Sequence, residues 1–151
     1  MEFAQSTPVA VVEPAVSGHR AMRWAQATSR VLLGLSFFVF GLDGFLHFVP
    51  QPDPSTIPPA AMSFGAALAG SGYLFQLIKG TEVVVGALLL LNRYVPLALV
   101  LLAPVTVNIV LFHAFLAPDG TGLGLVLAAL QLFLAWTHRD AYAGLLRARH
   151  R

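Results

Sequence analysis

VLLGLSFFVFGLDGFLHFV, residues 31–49, decides the fold. A helix needs about 20 apolar residues to cross the hydrocarbon core of a bilayer, and this run predicts such a span from Ser29 to Val49. Yet the run contains Asp43 and, one helical turn later, His47. An ionised carboxylate at the centre of a membrane helix costs about 3 kcal/mol. Asp43 should therefore face inward and be paired or protonated, and the question of its partner organises the rest of the chain.

The surroundings agree with a membrane protein. Of 151 residues, 57% are hydrophobic and only 11% charged, less than half the charge that a soluble domain normally carries. Mean hydropathy is +0.75, and the apolar residues come in blocks rather than in amphipathic stripes. A net charge of +2 with a basic isoelectric point near 9.5 does not indicate nucleic acid, because the arginines flank the apolar blocks instead of forming a face of their own. There is no cysteine, which excludes disulfides, thiolate metal sites and thiol redox chemistry.

Outward from the first span, PQPDPSTIPPA (Pro50–Ala60) is too rich in proline for helix and reads as a loop. A short helix is expected over Ala61–Ala69, on the surface or re-entrant, ended by Gly70–Ser71–Gly72. A second span is predicted over Tyr73–Leu91, a third over Val95–Phe115 and a fourth over Leu123–Trp136. Pro104 falls inside the third, where a neighbouring helix can satisfy the carbonyl it frees. The predicted fold is all-α: an integral membrane four-helix bundle with a short extra helix after the first outer loop. Residues 1–28 are expected as a mobile N-terminal tail, 29–136 as the transmembrane domain and 137–151 as a basic cytoplasmic C-terminal tail. Residues 1–18 have Glu2 and Glu13 and no basic start, unlike a secretory signal.

Four spans put both termini on one side. Arg20, Arg23, Arg30, Arg93, Arg139, Arg147, Arg149 and Arg151 then share that side, whereas the opposite loops carry Asp53 and Asp119. By the positive-inside rule both ends are cytoplasmic. Trp24, Tyr94 and Trp136 fit an inner aromatic belt and Tyr73 an outer one.

Depth gathers the remaining polar residues. At about 1.5 Å per residue, Asp43 and Lys79 lie roughly 10 Å below the outer helix ends, and Glu82 and Asn108 roughly 15 Å. His47 and His113 are nearer the outer surface. Spacing aligns Ser29, Ser36 and Asp43 on one face of the first span and Gly34 and Gly41 on the other, a small-residue groove suited to close helix packing. Lys79, Glu82, Val83 and Gly86 share a face of the second span; Gly124, Ala128, Gln131 and Ala135 share one on the fourth. The simplest pairing is an Asp43–Lys79–Glu82 network within an outer-half pocket that also holds His47, Asn108 and His113, walled by Phe37, Phe40, Phe112 and Phe115.

Metal binding at Asp43, His47, Glu82 and His113 is not predicted. No zinc-type spacing is present, and Asn108 and His113 stand about 140° apart around their helix. Ser29, Ser36 and Ser71 lack a nucleophile elbow, so no catalytic residue is assigned.

Three stretches, RVLLGLSFFVFGLDGFLHFVP (30–50), SGYLFQLIKGTEVVVGALLLLNRYVPLAL (71–99) and LAPVTVNIVLFHAFLAP (102–118), together resemble the DoxX and DoxX-like membrane proteins. The resemblance covers about Arg30 to Leu134 and rests on the order and spacing of these pieces, with the glutamate before VVVGALLLL the most telling. It implies a small bacterial inner-membrane protein with a four-helix bundle, associated with quinone-linked redox complexes. It also implies asparagine where this chain has Asp43. No cofactor is assigned, a quinone being compatible with the redox link; the partners are the lipid bilayer, membrane or periplasmic redox proteins and a further copy of the chain, with nucleic acid excluded. A proton-coupled transporter built on Asp43, Lys79 and Glu82, and a non-catalytic membrane scaffold, are the competing readings.

Overall fold

The computed structural model describes residues 16–143. These residues form helices and connecting turns, with no strand among them: α1 (Val16–Leu46), α2 (Pro59–Gly70), α3 (Leu74–Leu90), α4 (Val95–Phe115), α5 (Thr121–Thr137) and α6 (Arg139–Tyr142). The expected N-terminal tail up to residue 15, and the arginines Arg147, Arg149 and Arg151, lie outside the described residues.

The first helix is longer at its start than its apolar run. It begins at Val16, not near Ser29, so residues 16–28 are helical rather than part of a mobile tail. AMRWAQA (residues 21–27) is made largely of strong helix formers without a breaker. A hydrophobic run measures how much of a helix suits hydrocarbon and does not measure where its hydrogen bonding starts. At the other end α1 stops where His47 takes a left-handed φ of 50°, a conformation for which histidine is enriched among non-glycine residues.

The proline-rich loop contains a 3₁₀ turn, Pro54–Thr56, capped by Asp53. The Ser55 amide donates to Asp53 Oδ1 at 2.8 Å, and hydrogen bonds from Ser55 hold the exposed Asp53 carboxyl below the usual carboxylate range. Between α2 and α3 the chain turns sharply, the two helix axes differing by 91°. Gly72 makes the turn with φ +80°, a backbone conformation that glycine adopts without strain.

α1, α4 and α5 are each long and apolar enough to cross a membrane; a fourth crossing is counted when the bent pair α2 and α3 is taken as one span. α1 packs on α3 and α5, and α4 packs on the same two helices. All four meet in a core that includes Leu33 and Phe37 of α1, Val85 and Leu89 of α3, Leu99 and Leu102 of α4, and Leu127 and Leu134 of α5.

α1 lies against α3 through glycine. A Cβ added at Gly86 would come within 2.5 Å of the Phe38 backbone nitrogen, and one at Gly41 within 2.8 Å of the Val83 nitrogen. The expected small-residue groove of α1 is therefore the seat of α3, and the backbones approach more closely than any side chain would allow. At the end of this contact Arg30 donates to the carbonyls of Leu89 and Leu90 in the last turn of α3, groups that the helix itself leaves unpaired. The Tyr142 hydroxyl donates to the Pro96 carbonyl at 3.2 Å, tying α6 to the start of α4. Arg30, Arg93 and Arg139 thus mark one end of the molecule, and Asp53 and Asp119 the other.

The surface inverts the usual distribution. Leu32, Leu35, Val100, Val107, Leu111 and Leu132 are exposed, whereas Ser29, Glu82, Thr106 and Gln131 are buried.

Candidate functional site

At the aspartate end, α2, the first half of α3 and the second half of α4 line an open-sided cavity of about 630 Å³. Its walls include Lys79, Glu82, Asn108 and His113, all expected at the site from sequence. Asp43 and His47 are not among its lining residues.

Lys79 and Glu82, one turn apart on α3, form an ion pair with Nζ 2.8 Å from Oε2. The same ammonium donates to the Phe40 carbonyl of α1 at 3.3 Å. The stem of Lys79 runs over Gly44, where an added Cβ would lie 2.5 Å from Lys79 Cγ. Glycine at 44 therefore opens the path by which the lysine reaches back to α1. The pair links two helices and sits in the cavity wall, where low polarity strengthens the attraction of its charges.

The predicted three-membered network is corrected at Asp43. Among the described residues the Lys79–Glu82 contact is the single pair of opposite charges within bonding distance. Asp43 instead accepts the Val49 amide at 2.7 Å and the Gln51 side-chain amide at 3.3 Å. With α1 ending at Leu46, the chain doubles back so that its amides reach a carboxylate on the last helical turn. Asp43 pins the descending loop. His47 is corrected as well: it is exposed, and its left-handed backbone terminates α1.

His113 is held from several directions. Its Nδ1 lies 3.1 Å from the Ala117 carbonyl. Because a carbonyl only accepts, the proton resides on Nδ1 in the neutral ring, leaving Nε2 as an acceptor. Gly120 closes over the imidazole so tightly that an added Cβ would overlap its Cε1 and Nδ1. The ring also meets Phe112 edge-on at 5.2 Å between centroids. Asn108 and His113 both line the cavity despite their angular separation, because it extends along α4 from Leu101 to His113. No three His, Asp or Glu side chains converge to hold a metal ion among the described residues.

The aromatic wall differs from expectation. Phe112 lines the cavity, but Phe37 is buried in the core. Phe40 and Phe115 point away, 47% and 77% exposed. Phe64 of α2 and Phe75 of α3 take their places, with the Phe64 ring tilted at 43° to Phe112, 5.6 Å between centroids. Sequence reasoning missed them because it treated α2 as a peripheral helix; the signal was a lone phenylalanine, Phe64, within an alanine-rich segment.

The site is thus a mostly hydrocarbon chamber with an ion pair, an amide and a histidine acceptor in its walls. Such a chamber admits a flat, apolar molecule and can hydrogen-bond oxygens at its rim. Comparison with protein-family models, curated proteins and solved structures finds no match to this chain.

Proposed function

We propose that the chain is a DoxX-like integral membrane protein, a four-helix bundle in the bacterial inner membrane with both termini cytoplasmic, and that its α2–α3–α4 cavity binds a quinone as an accessory component of a membrane redox complex. The observation that carries the reading is the combination of Phe64, Phe75 and Phe112 with Lys79, Glu82, Asn108 and His113 around one cavity. The exposed leucines and valines at the molecule's waist support the bilayer setting, since burying such surface in hydrocarbon is favourable by about 25 cal/mol per Å². The arginines at one end support the orientation.

The chemistry is that of holding a redox ring, with no catalytic group assigned. The phenylalanines offer faces and edges to the ring. Lys79 and Asn108 supply donors for carbonyl oxygens, and His113 Nε2 accepts from the hydroxyl of the reduced form. Redox proteins of the membrane or periplasm are the partners, and self-association is compatible with the apolar surface.

Purification into lipid nanodiscs, solvent extraction and quinone assay test the proposal. It predicts co-purified quinone and a rise in unfolding temperature on adding a short-tailed benzoquinone. Repeated absence of both would overturn it.

Proton-coupled transport is the second reading, favoured by the Lys79–Glu82 pair within a candidate span. It is the weaker one, because Asp43 is engaged with the loop and leaves the relay with two groups. Flux in proteoliposomes that falls with Glu82→Gln would promote it. A pure scaffold would keep its partners after the combined changes Asp43→Asn, Lys79→Gln and Glu82→Gln and would bind no quinone.

A further inference from the structure

A second hollow, of about 500 Å³, runs between α4 and α5 and shares no lining residue with the candidate site. It extends along α4 from Leu99 to Leu111, roughly 18 Å at 1.5 Å per residue. Ala103 and Ala128 leave the space, and Val100, Val107 and Leu132 rim it. This is the shape of a hydrocarbon chain.

Two buried polar side chains interrupt the wall. Thr106 is 4% exposed and Gln131 6% exposed, and both line the hollow. Gln131 Nε2 donates to the Leu99 carbonyl at 2.9 Å, which fixes the amide with Oε1 as its remaining acceptor. Gln131 Oε1 and Thr106 Oγ1 are buried with no hydrogen-bond partner, a costly arrangement for two oxygens in an apolar wall. Thr106 can turn towards the hollow, since helical threonine populates two χ1 rotamers; Gln131 Oε1 keeps the position that the Leu99 bond gives it.

We infer that the α4–α5 hollow is a binding site for a membrane-soluble alcohol, a hydrocarbon body bearing one hydroxyl, which donates to Gln131 Oε1 and accepts from the Thr106 hydroxyl. The donor pattern selects this class. A ketone or ester has no proton for Gln131 Oε1, and a carboxylate adds a charge that nothing in the wall neutralises. A second copy of the chain fits less well. The exposed side chains that rim the hollow, Val100, Val107 and Leu132, are apolar, so a second copy presenting the same face offers neither oxygen a partner. Tyr142 closes the arginine end of the hollow, held by its bond to Pro96.

The test uses the full chain in phosphatidylcholine nanodiscs with two photoreactive diazirine probes, a long-chain primary alcohol and the alkane of equal length. The alcohol is expected to label residues 99–111 and 128–142 at least about twofold more than the alkane, each of its two hydrogen bonds contributing about two- to tenfold. Thr106→Val, nearly isosteric, and Gln131→Leu should each lower the preference for the alcohol about two- to tenfold, the loss of one hydrogen bond, while leaving alkane labelling unchanged. Equal labelling by both probes in the unmodified chain would overturn the inference, as would a preference that neither Thr106→Val nor Gln131→Leu diminishes. Because the chain has no cysteine, Val107→Cys gives a clean interchain cross-link; efficient cross-linking that abolishes alcohol labelling would assign the hollow to a second copy instead.

Discussion

Lys79 Nζ lies 2.8 Å from Glu82 Oε2 on the same face of α3, and from there reaches the Phe40 carbonyl of α1. A buried pair of this kind contributes little net stability, but breaking it leaves a charge stranded. Lys79→Met and Glu82→Leu are each expected to destabilise the protein by about 2–3 kcal/mol, whereas the double variant regains at least about 1 kcal/mol of the summed loss. Unfolding by a denaturing detergent in mixed micelles measures all three. Strict additivity would mean that the pair is not coupled.

The α1–α3 contact gives a sharper contrast among glycines. Gly86→Ala pushes a methyl group against the Phe38 backbone, and should cost about 1–3 kcal/mol, the range for overpacking. Gly65→Ala on α2 meets nothing within 4 Å and should be neutral or stabilising by a few tenths of a kcal/mol. Gly44→Ala touches the flexible stem of Lys79, so it should displace the ammonium and weaken ligand binding more than it lowers stability. Melting temperatures and quinone titrations of the three variants separate these outcomes.

Asp43 tests the reassigned role. Asp43→Asn retains an acceptor for the Val49 amide and should change stability by less than about 1 kcal/mol. Asp43→Ala removes both bonds to the loop. Amide hydrogen exchange should then speed up across residues 49–57 and remain unchanged in α3. Faster exchange around Lys79 instead would restore the direct link between the two helices.

Much of this architecture was legible in the chain, and the reasons are particular. α4 runs over Val95–Phe115 as expected, because Pro96 favours its first turn and Pro118 follows its end. The Gly34–Gly41 line was readable as a packing seat, since nothing else explains small residues repeating within a phenylalanine-rich run. What could not be read was who partners Asp43. Depth placed it beside Lys79, but the answer depended on where α1 stops. A histidine in left-handed conformation, followed by a tight return, brought the Val49 amide closer than any lysine. The role of α2 as a cavity wall was hidden for a related reason, because the turn at Gly72 sets its direction and hydropathy carries no angle.

Asn108 and His113 should contribute to affinity separately. Asn108→Leu and His113→Phe are each expected to weaken quinone binding about two- to tenfold, the loss of one net hydrogen bond. Gly120→Ala, which forces the imidazole to move, should match His113→Phe. Isothermal titration calorimetry with a short-tailed benzoquinone provides the titration.

The central claim is that the α2–α3–α4 cavity is where a quinone sits. An azido-substituted benzoquinone, photolysed with the protein in nanodiscs and mapped by peptide mass spectrometry, tests it most directly. The account predicts labels on residues 59–70 and 101–113 that unlabelled quinone competes away and that Glu82→Leu diminishes. Labels scattered over the exposed faces of α1 and α5, indifferent to competitor, would contradict it.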